Sequence, residues 1–299
     1  MLGGHARPQV FDHPTYFGTA AVRGITPGIC AGENIARRTA LFTYMRLLAA
    51  IALLAAPMWS QTACSPPMPC YHETGLVNGA SFLPDMTPGA LVSLFGNDVA
   101  WETRGLYPED GVPGLAGVHV LVNNIPAVVI WVSPLQINFL LPPSMQPGPA
   151  TVRLIRNGAY GPLITVTLRE FAPALFQFDS ETAAALRHPD WRPVTREYPV
   201  APGDIVSLWG TGMGPLERPV PDLEIPQEAN QIAARRQLRV LLNGIPLPDN
   251  DVLYAGCGPG YYGLYQVNIR LPADIGPDPE VRIAIGDYIS PAGVRLRVR

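Results

Sequence analysis

The run V-S-P-L-Q-I-N-F-L-L-P at 132–142 returns in large part at 264–272 as L-Y-Q-V-N-I-R-L-P, so this chain is an internal duplication. Both runs carry Gln-x-Asn inside an apolar stretch that closes on Leu-Pro: Gln136 and Asn138 before Pro142, then Gln266 and Asn268 before Pro272. Proline cannot donate to a central ladder, and each run therefore reads as a strand ended by it. Two further segments pair up. T-P-G-A followed by L-V-S-L-F-G at 87–96 mirrors A-P-G-D followed by I-V-S-L-W-G at 201–210, and V-L-V-N-N-I-P at 120–126 mirrors V-L-L-N-G-I-P at 240–246. The offset is 114 between Ala90 and Asp204, 120 between Val120 and Val240, and 130 between Gln136 and Gln266. The second repeat's insertions therefore sit in loops, at 226–237 and 248–262, and the first of these has room for a short helix.

The 34 prolines and 29 glycines separate apolar runs of strand length and so act as turn punctuation. Asn123-Asn124 and Asn243-Gly244 tolerate positive φ and mark one hairpin in each repeat. Strands of about five to seven residues at turn-marked intervals of about ten are the spacing of a sandwich. The expectation is an all-β chain of two tandem β-sandwich domains, 71–171 and 197–299, with final strands at 281–285 and 293–298. Residues 172–196 lack sustained alternation. They read as a linker that packs through Leu175, Phe176, Phe178 and Trp191.

The front of the chain follows a different logic. Residues 1–44 show no periodicity and precede Met45, Arg46 and an apolar run from Leu47 to Trp59. One basic residue, a run too short to span a bilayer, then small and polar residues form the layout of a secretory signal at 45–63, with 1–44 a mis-assigned leader. In an oxidising compartment the simplest pairing is Cys64 with Cys70 across a proline-rich loop, leaving Cys257 free. A second account lipidates Cys64 and pairs Cys70 with Cys257. The expected location is outside the cytoplasm, secreted or at the cell surface, with no transmembrane span in the mature form.

Chemistry-bearing motifs are sparse. All 21 basic residues are arginine; beyond Ser60 there are 16 Arg against 22 Asp plus Glu, a balance of −6 with no basic stripe, which argues against nucleic acid. No G-x-S-x-G elbow occurs, and the histidines are scattered, with His119 alternating between Val118 and Val120 on what reads as a solvated face. G-T-G-M-G at 210–214 is followed by proline and acidic residues, so it reads as a turn or bulge, not a phosphate loop. Cys64 and Cys70 lack the histidines of a zinc site, and Asp249-Asn250-Asp251 lacks the glycine and glutamate of a calcium loop. No metal, cofactor or catalytic residue is expected. In each Gln-x-Asn pair the amides share one strand face. They either satisfy backbone groups of a neighbouring loop or, with Tyr261, Tyr262 and Tyr265, form a binding site; both repeats keep the amides and only the second has the tyrosines, which favours the structural role.

These motifs, with N-G-A-S-F at 78–82, A-P-A-L-F at 172–176 and P-G-Y-Y-G-L-Y-Q-V-N-I-R-L-P at 259–272, resemble the Solibacter-type C-terminal domain, an uncharacterised secreted module of acidobacteria. The resemblance runs through nearly the whole chain after the signal. It implies an immunoglobulin-like sandwich without assigned activity that forms the tail of larger exported proteins, here standing nearly alone. The functional expectation is an exported, non-enzymatic interaction module whose partner is a protein or polysaccharide. The alternatives are carbohydrate binding by the Tyr261–Gln266 loop and, further off, a hydrolase acting on extracellular polysaccharide.

Overall fold

The computed structural model describes residues 68–107, 110, 112–261 and 263–299; the segments expected to be a leader (1–44) and a secretory signal (45–63), with Cys64 and Tyr262, lie outside them. The first repeat contributes β1 (Cys70–Asn78), β2 (Leu91–Asn97), β3 (Arg104–Gly105), β4 (Val118–Val122), β5 (Ile125–Ala127), β6 (Val129–Ser133), β7 (Gln136–Leu140), β8 (Gly148–Arg156), β9 (Ala159–Tyr160) and β10 (Ile164–Leu168). They form one sheet in the order β1-β2-β7-β6-β3 and another in the order β10-β8-β4-β5, with β9 added to β8. Period-2 alternation explains why the two sheets face each other. Val92, Leu94, Ile137 and Phe139 point inward and are fully buried, as are Val118, Val122, Val152 and Leu154 from the opposing sheet.

From Ala174 onward the pattern returns with β11 (Ala174–Leu175), β12 (Ala185–Arg187), β13 (Arg192–Pro193), β14 (Ile205–Thr211), β15 (Asn230–Gln231), β16 (Leu238–Leu242), β17 (Ile245–Pro246), β18 (Val252–Cys257), β19 (Tyr265–Arg270), β20 (Val281–Ile285) and β21 (Tyr288–Ile289). One sheet runs β13-β12-β14-β19-β18-β15 with β11 on β14, and the other β17-β16-β20-β21. Every pairing between these strands is antiparallel, as in immunoglobulin-like sandwiches. One apolar core draws its residues from Tyr71 to Leu168, and a second from Phe171 to Val298.

The structure differs from the sequence reading in three places. The stretch 172–196 supplies β11, β12 and β13 to the sheet of the second core instead of only joining two domains. These strands are two or three residues long, too short for alternation to show. The run L-V-N-G-A-S-F at 76–82 reads as a short strand-like entry, but the first strand spans Cys70–Asn78 and stops where the Asn78 Oδ1 accepts the N–H groups of Ala80 and Ser81, turning the chain before Phe82. The segment 293–298 makes isolated bridges, Arg295 with Thr182 and Glu280, and Val298 with Val200, in place of a continuous strand. The hairpin turns agree with the sequence: Asn123, Asn124, Asn243 and Gly244 all have positive φ. The insertion at 226–237 carries β15 and a single 3₁₀ turn, Arg235–Gln237.

The two repeats meet head to tail. The Leu91 N–H donates to Thr211 Oγ1 (2.8 Å), whose hydroxyl donates to the Gly263 carbonyl (2.9 Å), so one threonine ties β2 of the first repeat to a loop of the second. Ser144 of the first repeat gives its N–H and hydroxyl to the Asp222 carboxylate of the second (2.9 and 2.6 Å), while Thr87 Oγ1 donates to the Glu170 carbonyl (2.8 Å) and fixes the end of the first repeat where the crossover begins. Backbone crowding accounts for G-T-G-M-G. At Gly212, φ is +77° and a Cβ would lie 2.0 Å from the Ala172 carbonyl oxygen, a position only glycine can occupy.

Candidate functional site

The duplication builds the same polar cluster twice, on the outer face of each central sheet. Ser93 lies directly across from Asn138, as Ser207 does from Asn268. In the first repeat, Ser93 Oγ donates to Asn138 Oδ1 (2.9 Å), while Gln136 Nε2 donates to Asn138 Oδ1 (2.8 Å) and Ser93 Oγ (3.4 Å). In the second, Ser207 Oγ donates to Asn268 Oδ1 (2.7 Å), and Gln266 Nε2 donates to Asn268 Oδ1 (2.7 Å) and Ser207 Oγ (3.1 Å). The amides satisfy one another and a serine, not the backbone of a neighbouring loop. The serines carried a legible signal, since both stand at the same place in the repeated V-S-L, but nothing in that motif says which way they face.

His188 extends the second cluster, with Nε2 2.7 Å from Ser207 Oγ. A serine–histidine contact invites a nucleophile reading, which the proton inventory opposes. Asn268 Oδ1 only accepts, so the single hydroxyl proton of Ser207 goes to it. His188 Nε2 must then be the donor in its contact with Ser207, and a donor cannot take the serine proton. Burial lowers the pKa of His188, holding the ring neutral. Ser207 is itself fully buried. Ser207→Ala is expected to cost about 1–2 kcal/mol in urea unfolding and Ser93→Ala less, because Ser207 has three side-chain partners and Ser93 two.

The expected tyrosine site divides. Gln266 and Asn268 stand together, but Tyr265 faces the opposite side of β19, buried in the second core, with its hydroxyl donating to the Gly214 carbonyl. It cannot reach a ligand beside the amides. Tyr261 is 43% exposed. Its loop returns over the sheet, and a Cβ at Gly258 would lie 3.4 Å from the Trp209 ring and 3.7 Å from Gln266 Oε1. Trp209, Leu264 and Ala184 form a third apolar cluster on this outer face, flanked by Phe176, Phe178 and Leu186, and Trp209 Nε1 is buried with no hydrogen-bond partner among the described residues. Gln136 and Asn138, 130 residues earlier, belong to the first repeat's separate cluster.

Phe95 occupies the place of Trp209 in the first repeat, and its surroundings are open. It is 36% exposed and tilted against Phe82, itself 46% exposed. The adjoining loop is tied to the turn before β7 by Gly96 N–H to the Leu135 carbonyl and Val99 N–H to the Pro134 carbonyl (both 3.0 Å). At this end of the sheet Leu135 and Trp101 are each 60% exposed. The Arg156 guanidinium, buried and donating to the Asp98 carbonyl, lies 3.8 Å from the Trp101 ring centroid. One indole face is thereby held by a cation and the other is left to solvent.

The cysteines settle one alternative. Cys70 is disulfide-bonded and Cys257 is a buried free thiol, so the Cys70–Cys257 pairing is overturned; Cys64 lies outside the described residues. Burial raises the Cys257 thiol, which keeps it protonated and unreactive. Among the described residues no group of three or more His, Cys, Asp or Glu side chains could hold a metal ion, and no helix is long and apolar enough to cross a membrane.

No family model and no curated protein matches the chain. Among solved structures it is similar to the surface glycan-binding protein PbSGBP-B from Prevotella bryantii, at 9% identity over 78% of this chain and 43% of that one, with a TM-score of 0.25. It is also similar to the Escherichia coli adhesin FdeC, at 9% identity over 77% of this chain and 65% of that one (TM-score 0.20). A third is the tandem Ig repeats of Dlar, at 11% identity over 78% and 95% (TM-score 0.21). The chain spans less than half the length of the glycan-binding protein it matches.

Proposed function

We propose that this chain is an exported, non-enzymatic β-sandwich interaction module that engages a partner at or outside the cell surface. The observation that carries the reading is the exposed end of the first sandwich, where Trp101 presents one indole face to solvent over a buried arginine, with Leu135 and Phe95 at the same end. Exposed large aromatics held rigid by their neighbours are suited to recognition, because little side-chain entropy is lost when they are covered. The serine proton committed to Asn268 supports the non-enzymatic part. The secretory layout of 45–63 and the resemblance to a secreted module support the location.

The test is retention of the protein on soluble and insoluble polysaccharides and on envelope protein, with product analysis of the same samples. Trp101→Ala is expected to weaken retention about tenfold at a stability cost of only about 1 kcal/mol, that of the cation–π contact with Arg156, since the ring is otherwise on the surface. Retention equal to wild type would remove this end of the sandwich as the contact surface, and released products would revive the hydrolase.

A second reading, carbohydrate binding by the Tyr261–Gln266 loop, draws support from the orphaned Trp209 Nε1 and the exposed Tyr261 above the same outer face. It works without Tyr265.

A further inference from the structure

The crossover from the first sandwich to the second, 169–173, floors an open cleft of ≈ 270 Å³. One wall is the loop after β1, with Leu83 and Asp85; the other is the β20–β21 hairpin, with Asp287, Tyr288 and Ile289. Both walls are anchored. Asn78 holds the first by accepting from the loop's own N–H groups and donating to the Asp85 and Ala172 carbonyls (3.3 and 3.1 Å). The buried Phe171 meets Tyr288 edge-on, ring centroids 5.8 Å apart, and so sets the tyrosine's plane.

We propose that this cleft binds a neutral saccharide ring. Asp85 and Arg169 form an ion pair (2.8 Å) and offset each other, which leaves Asp287 as the uncompensated charge of the cleft lining and disfavours an anionic ligand. Asp287 is an exposed carboxylate in no ion pair among the described residues, an acceptor for hydroxyl donors. Leu83 and Ile289 are 45% and 46% exposed on opposite walls, and the half-buried Tyr288 ring lies beside them. Hydroxyl edges and C–H faces on one small rigid ring match acceptors and apolar walls placed this way. Neither repeat alone contains the site, since its walls come from different sandwiches. It is also a different surface from the Trp101 end, so either proposal can fail without the other.

The experiment uses the full chain and saturation-transfer NMR with glucose, galactose, mannose, xylose and cellobiose, each titrated to about 10 mM. At least one is expected to give saturable transfer. Asp287→Ala and Ile289→Ser, both exposed, should each weaken that binding about tenfold, which corresponds to about 1.4 kcal/mol, while Trp101→Ala leaves it unchanged. Tyr288→Phe, which keeps the packing against Phe171, tests the hydroxyl alone. No saturable transfer with any sugar would overturn the proposal and leave the partner surface standing. Binding that survives both cleft variants, or that is lost in Trp101→Ala, would overturn it by placing the sugar elsewhere.

Discussion

Tyr71→Phe is expected to destabilise the protein by about 2–4 kcal/mol, because one hydroxyl satisfies two main-chain groups. Tyr71 Oη donates to the Pro162 carbonyl (2.6 Å) and accepts the Leu154 N–H (2.7 Å), linking β1 of one sheet to β8 of the other. Phenylalanine fills the same space but leaves a buried donor and an acceptor without partners. The same hydroxyl predicts an alkaline limb. Burial pushes its pKa up to about 12, against the lowering pull of the Leu154 N–H and of Arg153. An unfolded tyrosine titrates near about 10. Between these values the unfolded chain has lost a proton that the folded chain keeps, so the unfolded state binds fewer protons and stability falls as pH rises. The contribution is complete below about pH 10 and declines toward about pH 12. Burial raises Tyr265 in the same direction, so Tyr71→Phe should flatten this limb without abolishing it. Urea midpoints at pH 7 and across the alkaline range measure both effects. A variant with the wild-type midpoint would show that the hydroxyl's two bonds do not matter to the fold.

Arg297→Leu is expected to cost about 3 kcal/mol. Arg297 is 2% exposed, and its guanidinium reaches three partners: Thr182 Oγ1 from Nε (2.9 Å), the Asp278 carboxylate (3.0 Å) and the Glu181 carboxylate (3.2 Å). It bolts the 172–196 stretch to the last strand-like segment of the chain. The carboxylates are half-exposed and can recover water when the arginine is removed, which keeps the cost at the low end for breaking a buried pair. Arg196 also binds Glu181 (2.7 Å), but both side chains are more than half exposed. Arg196→Ala should therefore change stability by less than about 1 kcal/mol. Equal losses in the two variants, measured by thermal or urea unfolding, would contradict the assignment of Arg297 as the bolt.

The cluster on each central sheet shows where legibility stopped. Gln136 with Asn138 and Gln266 with Asn268 stood out because a duplication displays what it keeps, and period 2 placed each pair on one face. Their serine partners sit one strand away, and pairing register is set by the sandwich as a whole. His188 comes from a stretch whose strands are too short for any period to show, so its contact with Ser207 was beyond sequence reasoning. Tyr265 illustrates the opposite error. It stood next to Gln266 in the chain, and the alternation that sent the amides outward sent this ring into the core.

The sequence by itself determined the duplication, the all-β sandwich architecture, both asparagine hairpins and the strand that each proline ends. Those features rest on local periodicity and turn stereochemistry, which are written in neighbouring residues. The tertiary structure alone decided that 172–196 joins the second sheet, that Thr211 and Gly212 serve the junction between repeats, and that a cleft opens between Leu83 and Ile289. Each of these depends on contacts between residues tens to hundreds of positions apart, made when two similar sandwiches pack head to tail, and no local pattern encodes that geometry.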